Sequence, residues 1–410
     1  MEHRTDEYWV TEFNYEKELL EELDIPKAVE IYDVTLREGN QTPGCIMRME
    51  EQLALAKDLD GLGVRFLELF PAVSKDDEAV LTELSQPGML KNAEASALVR
   101  PRTVDLELAA KCGAKHIFLE GPAHMGLARL MGYTSETELI KGFTDTARRA
   151  KEYGMTITAC PWDCGKATMP LLERWVKELA AAGVDDIAYG DTYGYSMPWT
   201  VTRVVRKYRE WAGGDIIISC HFHNDYGIAT TATLAAVAGG ATRVQVAMNN
   251  LGERAGNAAL DEVAVNLELN MGVKTGIDLK RLYSLSKKIE AITKTPVGKK
   301  KAVVGDEVFD MGSGIVVALL QQLAQEDAEY AAFPFAPALV GQPPYRIVYG
   351  KGVGTNMIGE LVEKAGLRAS KEQLWSIAQA IKEEALLTKS LLTEFRVREL
   401  VDEVLSATER

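Results

Sequence analysis

The chain has 410 residues, 47% of them apolar and 26% charged, with a formal net charge of −14. That is ordinary globular composition, and the acidic balance disfavours nucleic acid or an anionic membrane as a main partner, since both call for a basic surface. No apolar run approaches the ~18–20 residues of a bilayer span, and the acidic stretch Met1–Asp24 lacks a signal pattern. The five cysteines (Cys45, Cys112, Cys160, Cys164, Cys220) do not make a disulfide framework in so long a chain, so a reducing, cytoplasmic setting is expected.

Eight short apolar runs follow one another along the first two-thirds of the chain. The predicted strands are Glu30–Leu36, Phe66–Pro71, Leu98–Thr103, His116–Glu120, Thr156–Cys160, Asp186–Gly190, Ile216–His221 and Arg243–Ala247. Helical periodicity marks Glu50–Leu62, Val104–Cys112, Thr134–Tyr153, Pro170–Ala182, Pro198–Trp211 and Ala229–Ala238 between them. Gly63, Gly113, Gly154, Gly183 and Gly240 each stand where a helix gives way to the next strand, the place of a left-handed C-cap. Strand alternating with helix implies a parallel sheet. Eight such units in about 250 residues match a closed (β/α)8 TIM barrel. A doubly wound open sheet would carry a Gly-x-Gly-x-x-Gly turn after its first strand, and none follows Glu30–Leu36.

The pattern changes after residue 285. Val303–Phe309, the small-residue stretch Met311–Ala318 and the turn-rich Phe333–Pro344 precede Gly350, Gly352 and Gly354. A helical tail then opens on a capping box, Ser370 with Gln373. The predicted organisation is an N-terminal extension over 1–27, a catalytic barrel over 28–285 and an appended, mostly helical lid or dimerisation region over 286–410.

The residues with chemical potential gather at the C-terminal ends of the strands, the face that holds the active site of such barrels. His221 and His223 end the seventh run. Alternate residues of a strand point the same way, so these two face one side, and neutral imidazole is a common ligand for divalent metals. Hydrogen-bonded polar residues at a strand end would give the same pattern. A third ligand must come from another strand. In Asp33-Val34-Thr35-Leu36-Arg37-Glu38-Gly39-Asn40-Gln41, Glu38 offers a carboxylate and Arg37 a bidentate fork for a substrate carboxylate. A rim salt bridge is the plainer reading of that pair. The eighth run leads into Asn249–Asn257. There Asn257 is a candidate for the metal or its water shell, and Glu253 for pairing with a ligand histidine or with Arg254. Weaker candidates are Thr192 for a substrate carboxylate, Glu120 and His124 after the fourth run, and Lys351 for a phosphate. Cys160 and Cys164 read as two free thiols.

Asp33–Gln41, His221–Asp225 and Gly252–Asn257 together resemble the signatures of the metal-dependent acyl-CoA condensing and cleaving barrels. That superfamily includes 2-isopropylmalate, homocitrate, citramalate and Re-face citrate synthases and 3-hydroxy-3-methylglutaryl-CoA lyase. The likeness covers roughly 28–285 and extends through Val308–Gly314 and Val348–Gly354. It implies a divalent metal (Mn, Mg or Zn) on Glu38, His221 and His223, with Asn257 close by, and Arg37 and Thr192 gripping a 2-oxo acid. Gln41 is expected beside that acid, and Asp33, Asn224, Asp225 and Glu253 behind the ligands. The implied reaction joins acetyl-CoA to the 2-oxo acid: the metal polarises the keto oxygen, a base draws a methyl proton, and the carbanion attacks the keto carbon. Glu38 is the variant seen in homocitrate synthases, where most members have Asp, and favours a dicarboxylic acceptor.

The likeness is broken at three places. Val316 stands where the synthases carry a lid histidine, Gly350-Lys351-Gly352-Val353-Gly354 replaces Gly-Lys-His-Ser-Gly, and Trp162-Asp163 replaces a Glu-Asp pair. Valine moves no proton, so Asp163, Glu120 and His124 are the candidate substitutes. A metal-dependent aldolase or lyase working without CoA and a non-catalytic metabolite-binding paralogue are the competing readings. The likeness further implies a homodimer. The end of the chain soon after the helical tail predicts no feedback control by leucine.

Overall fold

A computed structural model describes residues 3–324 and 328–408. The chain divides into two compact units, one of residues 11–297 and 302–304, the other of residues 3–10, 298–301, 305–324 and 328–408.

In the first unit eight strands close into a barrel: β1 (Glu30–Asp33), β2 (Phe66–Leu69), β3 (Glu94–Val99), β4 (His116–Pro122), β5 (Thr156–Trp162), β6 (Asp186–Asp191), β7 (Ile217–Phe222) and β8 (Arg243–Val246). Neighbours are parallel throughout, and β8 returns to β1 with Ile31 opposite Val244 and Asp33 opposite Val246. Helices such as Met49–Leu62, Glu136–Glu152, Met169–Ala181 and Pro198–Ala212 run between the strands. Each turns an apolar stripe inward: Leu55, Leu59 and Leu62 on the first, Leu139, Phe143 and Ala147 on the second. Burying a side chain of that size stabilises by ~1.5–3 kcal/mol. The stripe is anchored at Trp175, whose ring meets Phe143 edge-on at 4.8 Å and whose Nε1–H donates to the Ala123 carbonyl at 2.7 Å. All five predicted C-cap glycines have positive φ. No helix among the described residues is long and apolar enough to cross a membrane.

Two local features depart from expectation. The third strand begins at Glu94 and ends at Val99, earlier than the predicted Leu98–Thr103. Its first half, Ala95-Ser96-Ala97, is too small to read as an apolar run. Ser96 accepts the Tyr32 hydroxyl at 2.6 Å, while Ala95 and Ala97 point to the other face of the strand. A helix at Lys75–Leu84, in the β2–β3 connection, was not predicted. Ser74 caps it by accepting from the Asp77 amide at 3.1 Å, and three acidic residues fill its first turn.

The barrel end opposite the strand C-termini is closed by charge. Arg243 Nη1 donates to Asp186 Oδ2 at 2.9 Å, and the guanidinium lies 4.5 Å over the Phe66 ring. Open space therefore remains at the other mouth.

The second unit holds a two-stranded parallel pair, Asp310–Met311 with Arg346–Ile347, and the helices Gly314–Ala324, Thr355–Lys364, Lys371–Thr388 and Glu394–Thr408. Val317, Met357, Ile358, Ile377, Ile381, Val397 and Val401 form its core. The capping box forms in both directions, Gln373 N to Ser370 Oγ at 3.2 Å and Ser370 N to Gln373 Oε1 at 2.7 Å. Val316 is half-buried in the first turn of Gly314–Ala324, and Lys351 is exposed in a turn.

Candidate metal centre and its cavity

Three strand ends position the site. After β1 the chain curls tightly: the Val34 carbonyl accepts from the amides of Arg37 at 3.1 Å and Glu38 at 2.7 Å. Asp33 holds this turn, accepting from the Thr35 amide at 2.9 Å and its hydroxyl at 2.8 Å. Thr35 Oγ1 in turn accepts from the Met248 amide at 2.9 Å, tying the end of β1 to that of β8. His221 lies in β7, and His223, just beyond, is bridged to Asn257. The loop carrying Asn257 is possible only with glycine at Gly256. Its φ is +81°, and a Cβ there would lie 1.7 Å from the Asn250 carbonyl oxygen.

Glu38, His221 and His223 converge. His221 Nε2 and His223 Nε2 are 3.2 Å apart, and Glu38 Oε1 is 3.8 Å from each. All three residues are buried. His221 Nδ1 is 2.9 Å from Gln245 Oε1. Only an Nδ1–H satisfies that amide oxygen, so His221 is the tautomer with a lone pair on Nε2. Burial pushes the His221 pKa down to about 3, which keeps the ring neutral at physiological pH. Burial also lowers His223. Burial opposes the charged form of Glu38, but the Arg37 guanidinium and the two neighbouring imidazoles together outweigh it and hold the carboxyl at about 2. The result is two neutral imidazoles and a carboxylate within 4.8 Å of one another.

The residues fit a dication. Glu38 Oε2, His223 Nδ1 and Asn257 Oδ1 are buried polar atoms with no hydrogen-bond partner among the described residues, an expensive arrangement unless something else engages them. Two nitrogens each ~2.1 Å from one metal ion lie roughly 3–3.4 Å apart at ordinary ligand angles. Charge agrees as well. Glu38, Glu68 and Glu120 surround the single cation of Arg37, which leaves a net charge of −2 when all three carboxylates are ionised.

Arg37 is placed differently from the expectation of a free bidentate fork. It is buried, its Nε donates to Glu68, its Nη1 donates to Glu38, and its Nη2 is 3.9 Å from Glu120 Oε2. A carboxylate faces each guanidinium nitrogen, and only the Glu120 contact is loose enough to yield. Glu68 and Gln245 were not among the predicted site residues. Both are buried polar side chains between apolar neighbours, Glu68 between Leu67 and Leu69 and Gln245 between Val244 and Val246, and that misfit is the signal that would have found them.

A cavity of about 400 Å³ opens beside the cluster. Arg37, Glu38, Gln41, Glu120, Thr192, His221, His223 and Glu253 line it, with Phe70, Leu98, Phe118, Met131 and Trp162 as an apolar wall. Asp163 and His124 are not in the lining. Asp163 is fully buried and accepts from His124 Nε2 at 3.0 Å, Lys166 Nζ at 2.8 Å and the Tyr195 hydroxyl at 2.5 Å. Burial alone would raise its pKa, but these donors outweigh burial and hold it below the ordinary carboxylate value. His124 spends its other nitrogen on the Gly126 amide at 3.1 Å. The pair braces the β5 loop, with Trp162 rather than Asp163 turned to the cavity. Thr192 Oγ1 accepts from the Asp163 amide at 2.9 Å, so its hydroxyl proton is available to a ligand.

The remaining expected residues act on the rim. Asp225 takes Arg254 bidentately, at 2.9 and 3.0 Å, and Glu253 lies 3.5 Å from the same guanidinium rather than on a ligand histidine. Asn224 accepts from the Ala229 amide at 3.0 Å, and its own amide donates to the Gly256 carbonyl at 2.8 Å, joining the β7 and β8 loops. Cys160 and Cys164 are buried thiols, as are the other three cysteines.

A family model described as HMGL-like matches residues 28–289. The (R)-citramalate synthase CimA of Methanocaldococcus jannaschii is 33% identical over 87% of this chain and 70% of its own length. The homocitrate synthase AksA of Methanopyrus kandleri is 32% identical over 96% of both chains. Among solved structures, the Bacillus subtilis HMG-CoA lyase superposes with a TM-score of 0.60 at 23% identity, over 67% of this chain and 97% of that one, a likeness of fold. The chain belongs to the HMGL-like family.

Proposed function

We propose that this protein condenses acetyl-CoA with a 2-oxo acid, using a divalent cation held by Glu38, His221 and His223. The observation that carries this reading is the convergence of two neutral imidazoles and one carboxylate at the mouth of the barrel, beside a cavity, in a chain whose relatives are named as synthases of this type. A mixed nitrogen and oxygen donor set suits Mn or Zn better than Mg, which prefers oxygen ligands and retained water. When bound, the dication supplies Lewis-acid polarisation of the acceptor's keto oxygen.

The chain's own residues do the rest. Gln245 fixes the tautomer of His221, and Arg37 holds Glu38 as a carboxylate at the rim. The Thr192 hydroxyl and Arg37 Nη2 are the donors available to the acceptor's carboxylate. The wall favours an apolar acceptor side chain over the dicarboxylic acid that Glu38 suggested. Each arginine of the lining is already paired: Arg37 with three carboxylates, Arg100 bidentately with Asp105, and Arg254 bidentately with Asp225. A second substrate carboxylate would enter without a free cation, whereas Phe70, Leu98, Phe118 and Trp162 offer dispersion contacts. The cytoplasmic homodimer belongs to the same reading, and sedimentation would test the dimer.

The test is release of free CoA thiol by Mn-loaded protein from acetyl-CoA with pyruvate, 2-oxoisovalerate, 4-methyl-2-oxopentanoate, oxaloacetate and 2-oxoglutarate. Release with an apolar 2-oxo acid is expected. Absence of release with every acceptor would overturn the reading.

A further inference from the structure

Condensation needs a group that removes a proton from the thioester's methyl carbon and one that delivers a proton to the new alkoxide. The lining of the cavity narrows the choice. Glu38, His221 and His223 are the cation's ligands. Arg37, Arg100 and Arg254 stay protonated. Burial pushes the Cys160 thiol far above its ordinary value. Glu253 sits half-exposed on the rim, paired with Arg254. Asp163 and His124, which the departures at Val316 and Trp162 brought forward, are outside the lining and engaged with each other.

Glu120 remains. It stands in β4, one residue before Gly121, with its side chain 25% exposed into the cavity. Its Oε2 is buried with no hydrogen-bond partner among the described residues, where its one oppositely charged neighbour, Arg37 Nη2, is 3.9 Å away. It therefore lies beside the group expected to hold the acceptor's carboxylate, and it is the loosest of the three carboxylates around Arg37.

Resting on the condensation reading above, we propose that Glu120 is the proton carrier of this enzyme, serving from β4 the role that neither Val316 nor Trp162 can fill. The carboxylate accepts a proton from the methyl carbon, and the released C–H electron pair forms the new bond to the keto carbon. The carbonyl π pair moves onto oxygen, and the Glu120 carboxyl returns its proton there as the tertiary hydroxyl forms. Water then cleaves the thioester to a carboxylic acid and CoA thiol, and Glu120 ends as it began. Burial, opposed by Arg37 and reinforced by Glu38 and Glu68, raises its pKa to about 7, close to the working pH a shuttle of this kind requires.

The test compares Glu120→Gln, Glu120→Asp and Glu120→Ala with the wild type by CoA release, using the acceptor that the wild type accepts. Glu120→Gln is expected to lower kcat at least ~100-fold, with the acceptor's KM within threefold and Mn affinity unchanged by calorimetry. Glu120→Asp should keep a smaller rate and the wild-type pH limb near neutrality, and formate should restore Glu120→Ala at least tenfold. No release by the wild type overturns the condensation reading and this proposal with it. Release by the wild type that persists within threefold in Glu120→Gln overturns the assignment of Glu120 alone.

Discussion

Replacing Gln245 with leucine should weaken metal binding without touching a ligand. Gln245 and His221 are both buried, so no water takes over the 2.9 Å contact between Oε1 and Nδ1. The imidazole then has two choices. It keeps a proton on Nδ1 with no acceptor, at a cost of ~1–3 kcal/mol, or it moves that proton to Nε2 and blocks the ligand atom. Loss of a comparable histidine-orienting partner costs ~10–100-fold in metal affinity, which is about 1.4–2.8 kcal/mol. Calorimetric titration of Mn into stripped protein at neutral pH measures it. Gln245→Glu, which retains an acceptor, should stay within tenfold of the wild type. A Kd for Gln245→Leu within twofold of the wild type would refute the claim that this hydrogen bond sets the tautomer.

Glu68→Leu leaves Arg37 Nε without its carboxylate in a fully buried position, and urea unfolding should show a loss of ~3 kcal/mol, the low end for a broken buried pair because Glu38 remains. Less than 1 kcal/mol would argue against that pairing. Glu120 has its folded-state pKa raised from 4.5 to about 7. Its charged form is therefore disfavoured by folding, a cost absent below about pH 4.5 that grows as pH rises to about 7 and is constant above. Metal-free Glu120→Gln should match the wild type in melting temperature at pH 4.5 and exceed it at pH 8, and equal melting at both would contradict a buried carboxyl. Asp163 is shifted the other way. Asp163→Asn should lose ~1–3 kcal/mol at pH 7, and that difference should vanish as pH falls below the ordinary carboxylate value of 3.8 and on through the lower folded one. Its CoA-release profile should keep the limb that Glu120 sets.

The barrel was readable because its signals are local. Each apolar run ends in a polar turn, and glycines mark the helix ends. His221 and His223 are two apart along extended backbone at the end of β7, so their common direction follows from the pleat alone. What the sequence hid depends on neighbours far along the chain. Arg37 reads as a free fork until Glu68 and Glu120, 31 and 83 residues later in number, are seen around it. Gln245 becomes meaningful only because β7 and β8 pair with His221 opposite it. Asp163 and His124 look reactive in sequence, yet they satisfy each other across the β4 and β5 loops. The third strand was misplaced because Ala95, Ser96 and Ala97 carry little hydrophobic signal, and Ser96 finds its partner in Tyr32 of β1.

The central claim is that Glu38, His221 and His223 hold a catalytic dication. It is tested most directly by stripping the protein with a chelator and titrating Mn back while following CoA release and bound metal together. One equivalent per chain should restore release to a protein silent without it, and His223→Ala should neither bind that equivalent nor recover. Release undiminished by stripping, or full metal binding in His223→Ala, would contradict the account.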